Sequence, residues 1–438
     1  NMGGLLQEQG RLDEAMTLYE EALRVRREVL GDRHPDTLTS IASMGNLLQE
    51  QGELDEAMTL FEEGVRVSRE VLGDRHKDTM SAVCNMAGLL QEQGRLDEAK
   101  LLYEEDLRVS REVLGNRHPE TLSSISNLGN LLREQGELDE AMTLFEETLR
   151  VSKEVLGDRH KETLSCISNV AGLLQEQGKL DEARLLFEEA LRVSREVLGD
   201  KSPSTLTSIN NMASLLQEQG ELDEAKLLFE EALRVRRELL GDRHPDTLVS
   251  INNLAGLLQE QDELDEAKLL YEEDLRASRE VLGDRHPDTL ASINNLGNLL
   301  QEQGELDEAM TLFEEALRVR REVLGNRHKD TLSSIGNMGS LLQEQGKLDE
   351  AMPLFEEDLR VSREVLGDRH PDTLISISTM GNLLQEQGKL DEAMTLFEEA
   401  LRVRREVLGN RHKDTMASVN NMGSLLQEQG KLDEAMPL

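Results

Sequence analysis

Nine histidines recur at one place in successive stretches of the chain: His34, His76, His118, His160, His244, His286, His328, His370 and His412, with Ser202 where a tenth would fall. Imidazole is the usual side chain for binding metals and moving protons near neutral pH. Here the spacing argues against both. Equivalent residues 42 apart sit in successive copies of one unit, separated by about a helix-packing distance, on the order of 10 Å. Ligands sharing a zinc ion lie roughly 2 Å from it. The histidines therefore read as loop-packing and helix-capping groups, and neither a metal nor any other cofactor is implied.

Other chemical candidates fail in similar ways. Gly172 to Lys179 resembles a phosphate-binding loop, but five residues separate its glycines where the motif needs four, and Leu180 follows the lysine. Cys84 and Cys166 occupy slots that otherwise hold Ser, Asn or similar small residues, which suits reduced thiols better than a disulfide framework. Departures from the repeat are Arg133 for Gln, Lys201-Ser202 for Arg-His, Asp262 for Gly, and Asp106, Asp274 and Asp358 in an Ala slot. They do not bring an acid, a base and a nucleophile together, so the chain reads as non-enzymatic.

The elements that position these residues follow from the period. The marker Gln-Gly at Gln9-Gly10, Gln51-Gly52 and Gln93-Gly94 continues to Gln429-Gly430, so 438 residues hold a little over ten copies. A unit of 42 residues cannot bury its apolar face alone, and neighbours must stack around a shared core. In the copy from Pro287 to His328, Pro287 and Asp288 suit the first turn of a helix. Leu290, Ile293, Leu296, Gly297 and Leu300 then form an apolar stripe that Gly304 ends. Asp307 and Glu308 open a second helix, whose stripe runs through Ala309, Phe313, Ala316 and Leu317 to Leu324 and stops at Gly325. Small Gly297 and Ala309 let the two helices approach, Phe313 fills the space between, and the short turn makes the pair antiparallel.

Composition narrows the partners. The formal charge is -39 and Trp is absent, while the seven Phe and three Tyr occupy one core slot per copy, from Tyr19 and Phe61 to Phe397. Repulsion from polyanions and the lack of stacking platforms argue against nucleic acid and against an anionic membrane face. No apolar run has the roughly 18 to 20 residues of a membrane helix, and no signal sequence is visible. These features, with the cysteine usage, suggest a cytoplasmic protein.

The slots Leu296-Gly297, Ala309, Phe313 and Ala316 resemble the Leu-Gly, Ala, Phe and Ala landmarks of the tetratricopeptide repeat, with Ile293 and Leu300 in place of its Trp and Tyr. The extra length, with its Leu-Gly-x-Arg-His-Pro connection, resembles the repeats of kinesin light chains. Residues 251 to 289 show the likeness best, at Ile251-Asn252-Asn253-Leu254-Ala255, Glu266-Ala267, Leu282-Gly283 and His286-Pro287. The resemblance implies an all-α fold, an α–α superhelix of about ten helical hairpins, with residues 1–438 as one continuous solenoid. Both ends fall inside a repeat, as if cut from a longer array, and leave open faces that could stack end to end.

Opposite its apolar stripe the first helix carries a polar one: Ala291, Asn294, Asn295, Asn298, Gln301 and Glu302. Repeated along the stack, this stripe is expected to line a groove. The Asn294 and Asn298 slots vary among copies, whereas the Asn295 slot is nearly constant, with Asn127, Asn169, Asn211, Asn253, Asn295 and Asn337 among its members. An amide offers a donor and an acceptor, so such a row can hold the backbone of an extended peptide without reading its sequence. Similar ladders occur in other tetratricopeptide superhelices. A Glu recurs beside the row in every copy, and only Arg133 adds a cation among the neighbouring Gln slots. The basic clamps that related domains use for carboxylates and acidic cargo are missing from the matching places, so the expected partner is a protein or peptide, neutral or basic. The reading is an interaction scaffold or adaptor whose concave face binds an extended peptide; the alternative is a spacer or brace within a larger assembly.

Overall fold

Helix boundaries repeat with the sequence. The computed structural model describes residues 2–8, 12–410 and 412–431, and every regular element among them is an α-helix. The first helices of the pairs are α1 (Met2–Glu8), α3 (Pro35–Glu50), α5 (Lys77–Glu92), α7 (Pro119–Glu134), α9 (Lys161–Glu176), α11 (Pro203–Glu218), α13 (Pro245–Glu260), α15 (Pro287–Glu302), α17 (Lys329–Glu344), α19 (Pro371–Glu386) and α21 (Lys413–Glu428). Their partners are α2 (Leu12–Leu30), α4 (Leu54–Leu72), α6 (Leu96–Val113), α8 (Leu138–Leu156), α10 (Leu180–Leu198), α12 (Leu222–Leu240), α14 (Leu264–Val281), α16 (Leu306–Val323), α18 (Leu348–Val365) and α20 (Leu390–Val407). The open end expected at Leu432 to Leu438 lies outside the described residues.

Contacts gather the chain into two units, Asn1–Gln175 with Leu180–Asn295, and Glu176–Lys179 with Leu296–Leu438. Each unit is a run of consecutive helical hairpins, the arrangement of a solenoid. In the first, Leu164 and Ile167 of α9 pack with Ala190 and Val193 of α10, and Leu149 of the preceding α8 closes the cluster. In the second, Leu374 and Ile377 of α19 meet Ala400 and Val403 of α20, closed by Leu359 of α18. A helix from the previous pair thus completes each core. Burying one such side chain contributes roughly 1.5–3 kcal/mol, and a lone hairpin would forfeit part of it.

Glycine acts at two kinds of position. At Gly381 a Cβ atom would stand 2.5 Å from Phe397 Cε1, and at Gly129 it would stand 2.6 Å from Phe145 Cε1, so the ring lies directly on the glycine and draws the helices together. Gly388 ends α19 with φ of 73°. Its N–H donates to the Gln385 carbonyl at 2.8 Å, and the Lys389 N–H donates to that of Leu384 at 2.9 Å, the left-handed cap that stops a helix and reverses the chain. Asp262 takes the same turn with φ of 63°.

Rows of ion pairs tie the second helix of one hairpin to that of the next. The first unit has Arg69 to Glu105 at 2.8 Å and Arg195 to Glu231 at 2.7 Å; the second has Arg363 to Glu399 at 2.8 Å. Each is half exposed and contributes little alone.

Candidate functional site

The histidines cap helices. His370 Nδ1 accepts the Asp372 N–H at 3.1 Å, and His34, His76, His118, His244, His328 and His412 make the same bond at the starts of α3, α5, α7, α13, α17 and α21. Ser202 occupies that position before α11 without a side-chain bond. The other ring nitrogen finds use as well. Within the first unit His286 Nε2 meets the Glu50 carbonyl at the end of α3, and within the second His412 Nε2 lies 3.2 Å from that of Glu176. A neutral imidazole protonated at Nε2 satisfies both bonds at once.

The asparagine row lies on the first helices as the sequence places it: Asn127 on α7, Asn169 on α9, Asn211 on α11, Asn253 on α13, Asn295 on α15 and Asn337 on α17, all half-buried. The amides divide into two groups. Asn127 Nδ2 donates to Cys84 Sγ at 3.2 Å, and Asn295 Nδ2 donates to Asn252 Oδ1 at 3.0 Å, so each of these amides commits one N–H to the preceding repeat. Among the described residues, Asn169, Asn211, Asn253 and Asn337 make no side-chain hydrogen bond to the chain. Asn294 is buried and out of a visitor's reach, whereas Asn298 is exposed.

The neighbouring Gln and Glu slots form a second row. Gln49 Nε2 donates to Glu92 Oε2 at 2.7 Å, Gln91 to Glu134 at 2.6 Å and Gln217 to Glu260 at 2.6 Å in the first unit. Gln343 to Glu386 at 2.6 Å continues the pattern in the second. Each carboxylate accepts from the repeat before it, so the recurrent Glu fastens the stack as well as setting its charge. Arg133 stands in the Gln slot, half-buried and engaged within the chain.

The Asp residues in the Ala slot are buried on the second helices. Asp274 has no exposed surface, and Asn252 Nδ2, 22 residues earlier, donates to its Oδ2 at 2.8 Å. Burial pushes its carboxyl up to about 6, opposed by the Ser292 hydroxyl and Asn252. Burial likewise pushes Asp358 up to about 6, opposed by the Ser376 and Ser362 hydroxyls, with Asp372 and Glu357 adding to the rise. Asp106 is raised by the same desolvation. Asp358 differs from Asp274 in one respect: the residue 22 before it is Gly336, which offers neither donor nor bulk. A cavity of about 240 Å³ opens there between α17 and α19. Ser333, Gly336, Asn337 and Ser340 line it from the polar stripe, with Asp358 and Ser362 on α18 behind.

Comparing slots one at a time along the sequence misses this pocket, because its signal is the pairing at an offset of 22: Cys84 with Asp106, Asn252 with Asp274, Gly336 with Asp358. Cys84 is pushed up to about 11 by burial and then by Asp106, and burial raises Cys166 too, which keeps both thiols protonated and weakly nucleophilic. Among the described residues no three His, Cys, Asp or Glu side chains gather to hold a metal ion, and no helix is long and apolar enough to cross a membrane.

A model of the tetratricopeptide repeat matches residues 1–70, 78–154, 124–196, 162–238, 204–280, 246–322, 330–406 and 375–438. No curated protein sequence matches the chain. Among solved structures, a variant form of the nearly identical TPR-like repeats from a Podosopora anserina protein described as a kinesin light chain is 26% identical. It covers 47% of this chain and 96% of that one, with a TM-score of 0.40. A second structure of those repeats is 28% identical, covering 47% and 97%, with a TM-score of 0.40. BtubC (BKLC) from P. vanneervenii is 22% identical, covering 54% and 92%, with a TM-score of 0.41.

Proposed function

Since the chain belongs to the tetratricopeptide repeat family, whose arrays generally serve as protein-interaction scaffolds, we propose that the polar face of its first helices receives an extended, neutral or basic segment of another protein. The observation that carries this reading is the set of half-buried amides at Asn169, Asn211 and Asn253, at one position in three successive repeats and without partners in the chain among the described residues. An extended backbone presents N–H and C=O groups along its length, and each amide can pair with both. The face has no Trp or Tyr to act as a hot spot, so several repeats share the affinity. The carboxylates beside the row select against acidic segments.

The test begins with peptides selected from a random displayed library against the whole chain. Replacing Asn169, Asn211 and Asn253 together by Ala is expected to weaken their binding by about tenfold or more, about 1.4 kcal/mol. Thermal unfolding should stay unchanged or rise slightly, because Ala is the better helix former. Peptides that bind the triple variant as well as the parent would reject the amide row.

A further inference from the structure

Asp358 is 7% exposed and carries its carboxylate at the back of the cavity between α17 and α19. Ser362 Oγ stands 3.5 Å from its Oδ1, while the nearby Ser376 hydroxyl donates to the Asp372 carbonyl at 3.1 Å. Hydroxyls ease a buried carboxylate but do not cancel its charge, and an uncompensated buried charge is costly unless a cation joins it. In the repeat before last the chain supplies its own donor, Asn252 to Asp274 at 2.8 Å. At the matching place Gly336 leaves open space, where an added Cβ would meet nothing within 4 Å. The same fold thus appears with the acid filled from within and with it open to the polar face.

The rest of the lining points to the shape of the missing group. Leu332, Leu366 and Ile375 form apolar walls around the path to Asp358, and Lys329 and Asp372 line the cavity as well. About 240 Å³ is room for one long side chain and too little for a folded element. Apolar walls with an acid at the end fit a methylene stem tipped with a cation.

We propose that this cavity is a subsite for a single lysine or arginine side chain of the bound segment, its alkyl stem between Leu332, Leu366 and Ile375 and its cation against Asp358. This rests on the reading of the polar face as the receiving surface, and it locates within that face a repeat that distinguishes a basic residue from a neutral one.

The probe is N-acetyl-lysine N-methylamide, followed by saturation-transfer NMR on the full chain, with the norleucine analogue as its uncharged control. Two variants borrow residues that the chain already uses in these slots. Gly336→Asn copies Asn252 and leaves the net charge unchanged, and Asp358→Ala copies Ala190 beside Ser194. The lysine probe is expected to receive saturation at its side-chain methylenes from the parent, and to fall to the level of the norleucine control with either variant. Equal signal from Gly336→Asn and the parent would overturn the subsite, since attraction to the acidic surface alone would then explain it. No signal from the parent would also overturn it, and a signal appearing only in Lys329→Met would identify Lys329 as the native occupant. Failure here leaves the triple Asn→Ala measurement untouched, because that variant changes neither residue 336 nor 358; failure there leaves the probe result standing.

Discussion

A single buried carboxyl shows how these near-identical repeats were allowed to differ. With an ordinary value of 3.8 in the unfolded chain and about 6 in the fold, Asp358 favours folding only while protonated. Below pH 3.8 it costs nothing; as pH rises toward 6 the native state keeps a proton that the unfolded chain has lost, and stability falls. Above pH 6 the loss is complete, at most about 3 kcal/mol. Asp358→Ala is therefore expected to unfold at higher urea than the parent at pH 7, with the two midpoints converging near pH 4. A parent at least as stable as the variant at pH 7 would contradict the burial argument. The sequence shows the three Asp residues as oddities of one slot. It does not show what they face, because Gly336 and Asn252 act across the hairpin, at an offset that depends on how two helices cross rather than on the repeat length.

At the scale of the element the sequence is far more legible. Stripes at spacings of three and four, Pro or Asp in the first turn and Gly at the end place each helix within a residue or two, and Leu290 to Leu300 read as α15 without reference to any neighbour. The histidines are also readable as caps, and Ser202, the exception before α11, offers a test. Ser202→His should let Nδ1 accept the Ser204 N–H as in the other repeats and raise stability by about 0.5–1 kcal/mol, read as a shift in thermal midpoint. A lower midpoint would mean that the imidazoles serve only their outward contacts. Less legible is the fastening of one hairpin to the next. The bonds from Gln to Glu span 43 residues, one more than the period, because stacked helices meet with a small axial offset. Their glutamates therefore read as free charge on the rim, and Asn295 and Asn127 as free amides, until the neighbouring repeat is in place.

Across the whole molecule, repetition turns small local features into extended ones. Within each unit weak amide positions become a row, and acidic residues in every copy become a field that, on the proposed reading, favours a neutral or basic segment. Period, fold and polar stripe are inherited from one 42-residue sentence, while the proposed selectivity belongs to places where the sentence is altered, such as Gly336 with Asp358. The most direct measurement is paramagnetic relaxation from a selected peptide carrying a nitroxide, recorded on the side-chain amides and leucine methyls of the whole chain. The account predicts broadening of the Asn169, Asn211 and Asn253 amide signals, with Leu185 and Leu227 on the exposed side of α10 and α12 unaffected. Broadening of those leucines with the amides left sharp would contradict it.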